Sequence, residues 1–335
     1  MNLRPALAAV LVAGVTATHA QQPTFKAGVD LVTVPVSVMT RDHNNFIGDL
    51  TAADFQISEN GEKQVLTMAT RERRRASLCF VIDSSGSMAL GNRQELAMLA
   101  VDRIVALMQP DDEISMVFFA ETIEERIPWT RVAAIKALNW SGWLPHGNTP
   151  LNDGLRLGFR VMDGARNPRQ GIVLVTDGFE NASRESTSSI VKTRRQSEIT
   201  IYGVGVGSAN PQELQADAGT GVKMLPSANA ERVREIEAGT PGAPEYVRGA
   251  NALPNFDYLE TLVGDSGGTV SRALSQAEII NAAKNIVNEL QNEYLIGFTP
   301  SKPFDGKYRK LKVEVNRRGT FIRHRGGYLA LPSQQ

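Results

Sequence analysis

The 335-residue chain has a single cysteine, Cys79, and only four histidines. One thiol excludes an internal disulfide framework, a cysteine-based zinc site and an iron–sulfur cluster. The four scattered histidines offer no imidazole cluster. Net charge is missing too: 36 Lys and Arg stand against 36 Asp and Glu. That balance removes the bulk attraction that draws a protein to nucleic acid or to an anionic membrane. No segment holds 18 consecutive apolar residues, so none has the length of a membrane span. What is present is an ordinary globular composition, 42% hydrophobic and 21% charged, of a length that suits about two domains. Any chemistry here must rest on hydroxyls and carboxylates.

The first twenty residues read as an export signal. Arg4 supplies a positive start, Ala6 to Val15 an apolar core, and Thr18-His19-Ala20 a small-x-Ala site that predicts cleavage after Ala20. The mature chain is then expected to be secreted or periplasmic. With one Cys in an oxidising compartment, its stability must come from core burial, which about 315 residues can supply.

Residues 24–72 carry period-two patterning. Val32, Val34, Val36 and Val38 fall on one face of a strand, and Pro35 points to a sheet edge or a bulge. Phe55 and Ile57 continue the alternation, and Asn60-Gly61 is a hairpin turn. Arg71, Arg73, Arg74 and Arg75 read as a solvated joint.

From Ala76 the pattern changes. Leu78–Ile82, Ile114–Phe119, Ile172–Val175 and Ile199–Val206 are continuous apolar runs. Between and after them come stretches of helical periodicity, such as Leu96, Leu99, Ala100, Ile104 and Leu107, and later Ile279, Ala283, Ile286 and Leu290. Buried strands alternating with amphipathic helices predict an α/β, doubly wound, mostly parallel sheet over residues 76–293, with 208–254 as an irregular excursion. Period two returns in 294–332, where Leu311, Val313 and Val315 alternate with Lys310, Lys312 and Glu314. Short β segments gain most by sharing a core. The two ends are therefore expected to pair into a small β module into which the α/β domain is inserted.

Asp83-Ser84-Ser85-Gly86-Ser87 closes the first apolar run. In open α/β sheets, ligands bind at the carboxyl ends of strands where the strand order reverses. An Asp-x-Ser-x-Ser loop aims a carboxylate and two hydroxyls at one point, and hard oxygen donors suit Mg²⁺, Mn²⁺ or Ca²⁺. Thr149, in a Gly-Asn-Thr-Pro loop before a helical stretch, and Asp177, after the run ending at Thr176, should emerge on the same sheet edge.

FVIDSSGSM, GNTPL and VLVTDG, in that order, resemble the von Willebrand factor A (VWFA) domain with its metal-ion-dependent adhesion site (MIDAS). The flanking stretches are similar to bacterial exported VWFA-related proteins. The resemblance implies that Asp83, Ser85, Ser87, Thr149 and Asp177 hold one divalent ion. The hydroxyls would bind it directly, and one or both Asp through water. An Asp or Glu of a partner protein would fill the open position. The expected function is non-enzymatic, metal-dependent protein binding. The alternatives are a metal-assisted hydrolase, for which His146 is the one base near a metal loop, and a structural envelope or secretion component with an unused site.

Other signals read as structure. Gly264-Asp265-Ser266-Gly267-Gly268 copies a serine-protease nucleophile loop, but no His or Asp context for a triad accompanies it. Gly203-x-Gly205-x-Gly207 lacks the full dinucleotide-binding spacing and is read as a strand packed closely on a helix. Cys79 is expected to be buried and inert, Asp153 solvated, and Trp143 with His146 at the rim of the site.

Overall fold

The structure, a computed structural model, describes residues 31–43, 45–207 and 254–331. The expected export signal and, but for Pro254, the 208–254 excursion lie outside them. Alternating apolar residues form β1 (Val32–Thr40), β2 (Phe55–Glu59), β3 (Glu62–Gln64) and β4 (Leu66–Thr70). Asn60 and Gly61 take φ of 49° and 85° between β2 and β3, as a two-residue hairpin turn requires. The middle of the chain forms β5 (Ala76–Asp83), α1 (Arg93–Leu107), β6 (Glu113–Phe119), β7 (Ile123–Arg131) and α2 (Leu151–Met162). It continues through β8 (Arg169–Thr176), α3 (Thr187–Gln196), β9 (Thr200–Val206), α4 (Phe256–Val263), β10 (Val270–Ala273) and α5 (Gln276–Asn292). The last strands are β11 (Tyr294–Phe298), β12 (Tyr308–Val315), β13 (Thr320–His324) and β14 (Gly327–Leu329).

The middle strands make one sheet in the order β10-β9-β8-β5-β6-β7, parallel except for β7. Both faces are covered, which is why these strands carry apolar residues without alternation. Leu78, Phe80 and Ile82 of β5 join the core under α1 and α5, while Cys79 and Val81 join the core under α2 and α4. The Gly203 and Gly205 positions are close-packing positions. A Cβ on Gly205 would stand 2.7 Å from the Phe256 ring and 3.1 Å from Leu259 of α4.

The chain ends pair as the alternation requires. One sheet runs β13-β1-β11-β4 and a second runs β14-β12-β2-β3. Val32, Val34, Val36 and Val38 meet Phe55, Ile57, Tyr294, Ile296, Phe298, Leu311 and Val313 in their shared core. Two expectations need correction. β1 is an inner strand, but Pro35 keeps an edge-like position because β13 begins pairing only at Val36. The arginine joint is not simply solvated either. Arg73 bonds Asp111 and Asp112, and Arg71 donates to the Gly48 carbonyl and to Asn292. Among the described residues no helix is long and apolar enough to cross a membrane.

Candidate metal centre

β5 is the first strand of the α/β sheet, with β6 on one side and β8 on the other, so the strand order reverses between β5 and β8. Their parallel register pairs Ile82 with Val175. Asp83 therefore ends β5 beside the β8 terminus, one residue before Asp177. Asp83, Ser85, Ser87, Thr149 and Asp177 gather here from three loops, none more than 1% exposed.

The loops are tied to one another. The Gly86 amide donates to the Gly147 carbonyl, and the His146 amide to that of Ser84. The Thr149 amide donates to Asn181 Oδ1 at 2.7 Å, and the Asn181 amide returns to the Thr149 carbonyl. Glu180 accepts from the Asn152 amide in the first turn of α2, where a carboxylate complements the helix dipole. Gly178 turns the third loop at φ 79°, and a Cβ there would strike the Asn255 carbonyl at 2.7 Å.

Each carboxylate is oriented. Asp83 Oδ1 accepts from the Ser85 amide at 2.8 Å, and Oδ2 accepts from Thr176 Oγ1 at 2.5 Å. Ser85 Oγ and Ser87 Oγ stand 3.2 Å apart. Asp177 Oδ2 accepts from Arg93 Nη1 at 2.6 Å. Burial first, and the neighbouring Asp177 charge second, push the Asp83 carboxyl up to about 7. Two buried carboxylates with several hydroxyls and a single guanidinium form a hard donor set with an excess of negative charge. That set fits a divalent cation. The described residues hold no cluster of three or more His, Cys, Asp or Glu that could serve a metal instead.

Residues 77–236 match the family model of the von Willebrand factor type A domain. The α/β unit is similar to that A domain over these residues. A relative in Escherichia coli K12, the uncharacterized protein YfbK, is 30% identical over 165 residues, covering 44% of this chain and 27% of that protein. The chain thus spans about a quarter of that relative's length. Among solved structures, a von Willebrand factor type A protein from Catenulispora acidiphila aligns over 91% of this chain and 74% of its own, at 11% identity and TM-score 0.42. Proximal thread matrix protein 1 from the mussel byssus, solved with a zinc-occupied MIDAS motif, aligns over 67% and 50% at 14% identity and TM-score 0.40.

Around this site two expectations are corrected, those for Trp143 and Asp153. Trp143 does not line a rim. It is 3% exposed and donates from Nε1 to Ser84 Oγ at 2.8 Å, packing edge-on to Phe118. His146 is partly exposed, with Nδ1 2.7 Å from the Leu144 carbonyl of its own loop. Asp153 is not a free solvated carboxylate, since it accepts from the Arg184 and Glu185 amides. Ser266 is buried, and its hydroxyl accepts from the Ile201 and Gly268 amides at the turn into β10. Cys79 is fully buried, and desolvation pushes its thiol far up. Sequence reasoning missed Thr176, Asn181 and Arg93. The first two lie within the quoted third motif or just after it, where their polarity was the available signal. Arg93 lies six residues beyond Ser87, hidden among the residues of a helix start.

Proposed function

We propose that this protein is a non-enzymatic binding protein that captures a carboxylate of another protein through a divalent ion at the A-domain site. Asp83, Ser85, Ser87, Thr149 and Asp177 would hold Mg²⁺, Mn²⁺ or Ca²⁺. When bound, the ion supplies a positive charge that a partner's Asp or Glu can satisfy. The observation that carries this reading is the convergence of three loops at the strand-order switch, bringing two buried carboxylates together with three hydroxyl side chains. The protein's own contribution is rigidity. Thr176, the Ser85 amide and Asn181 fix donors and loops in advance, so little conformational freedom is lost on binding.

The test compares thermal unfolding in Mg²⁺ and in EDTA for wild type and Asp83→Ala, with a Mg²⁺-dependent pull-down of partners alongside. Wild type should be stabilised by Mg²⁺, and Asp83→Ala should not respond. A wild type indifferent to the chelator overturns the reading.

A further inference from the structure

Arg93 opens α1 and is 3% exposed, yet its guanidinium reaches into the metal centre. Nη1 donates to Asp177 Oδ2 at 2.6 Å and to the Ser87 carbonyl at 3.3 Å. It therefore touches both the loop that carries the two serines and the loop that carries the second aspartate. The guanidinium is a cation, and inside the protein its charge is poorly screened.

This pairing changes what a cation would experience. Asp83 and Asp177 together carry two negative charges when ionised, but Arg93 offsets one. We propose that Arg93 sets the ligand preference of the site. By pairing with Asp177 it leaves a bound divalent ion one positive charge in excess, and an incoming carboxylate neutralises that excess. Without Arg93 the two aspartates would balance the ion themselves. The site would grip metal more tightly and need an anion less. This inference rests on the metal-binding reading above and adds a residue that the five-oxygen set does not contain.

The experiment titrates the full chain with Mn²⁺ by calorimetry for wild type, Arg93→Gln and Arg93→Lys, with melting in EDTA as the folding control. A second readout is the ¹⁹F relaxation of trifluoroacetate caused by protein-bound Mn²⁺. Arg93→Gln should bind Mn²⁺ about tenfold more tightly, as expected for removing one nearby like charge, and should lose most of the trifluoroacetate relaxation. Arg93→Lys keeps the charge and should stay close to wild type in both. Arg93→Met, which retains the apolar stem, carries the same expectation as Gln should Gln fail to fold. Unchanged or weaker Mn²⁺ binding in Gln or Met, or a Lys variant that behaves like Gln, overturns the role of Arg93. A wild type that takes up no Mn²⁺ overturns the metal reading, and this inference with it.

Discussion

The chain buries charge in two places and balances it differently. Where the β module meets the α/β unit, Arg169 donates to Glu293 Oε1 at 2.6 Å, to Thr200 Oγ1 and to the Tyr202 hydroxyl. Arg323 donates to Glu289 at 2.7 Å, and Ser37 of β1 donates to the same carboxylate. Arg74 stands 4.0 Å from Glu293. There each carboxylate is bonded to a guanidinium. At the candidate metal centre two carboxylates, Asp83 and Asp177, face one guanidinium, Arg93. Paired buried charge joins the modules, whereas Asp83 is held by the Ser85 amide and the Thr176 hydroxyl.

Breaking the matched region should cost most. Glu293→Ala leaves Arg169 buried without its carboxylate, and stranding one member of such a pair costs about 3–5 kcal/mol. Urea unfolding should show that loss, while the response to Mg²⁺ survives. If the Mg²⁺ response disappears with Glu293, the two regions are not independent.

The pH dependence separates them next. Burial pushes the Asp83 carboxyl and the Glu289 carboxyl each up to about 7. A carboxyl whose folded value is raised binds its proton more tightly in the folded state. Its contribution is fully present below the unfolded value near 4 and is lost as pH rises toward 7. In EDTA, stability should therefore fall between pH 4 and 7. The ceiling is about 4 kcal/mol per group for shifts from 3.8 and 4.5 to about 7. Saturating Mg²⁺ should remove the Asp83 part of the slope and leave the Glu289 part, and Glu289→Gln should do the reverse. A slope untouched by Mg²⁺ would place the whole effect at the junction.

At constant pH near 7.5, Mg²⁺ at a hundred times its Kd should stabilise wild type by about 2.7 kcal/mol. Asp83→Ala should abolish that increment, and Arg323→Gln should keep it. Calorimetric melting measures both.

Much of the fold around the two regions was legible in the sequence, but unevenly. The unalternating runs around Phe80, Val117, Leu174 and Tyr202 announce a sheet covered on both faces, and the β-type ends announce their pairing. That Asp83, Ser85, Ser87, Thr149 and Asp177 come together at one sheet edge was legible because strand ends and oxygen donors coincide in three motifs. β7 was not, because Glu124, Glu125 and Arg126 face solvent at a sheet edge and Pro128 interrupts the run. α3 buries only Ile190 and Arg194, too few residues for an apolar stripe. The charge partners are long-range. Arg93 meets Asp177 across 84 positions and Arg169 meets Glu293 across 124, so no local pattern connects them.

The smallest expected effect tests how far the rigidity of the metal centre depends on its surroundings. Trp143→Phe keeps the aromatic packing against Phe118 and Trp140 but removes the bond to Ser84 Oγ, a loss of about 1 kcal/mol for a buried hydroxyl. Two backbone bonds still hold Ser84: its amide donates to the Phe119 carbonyl, and its carbonyl accepts from the His146 amide, each at 2.8 Å. The melting temperature should therefore drop by a few degrees, with Mg²⁺ affinity within about threefold of wild type, since main-chain bonds rather than the indole set the course of the loop. A larger loss of Mg²⁺ affinity would mean that the indole positions the serines. The unmatched site would then depend on side-chain packing as closely as the matched junction depends on its ion pairs.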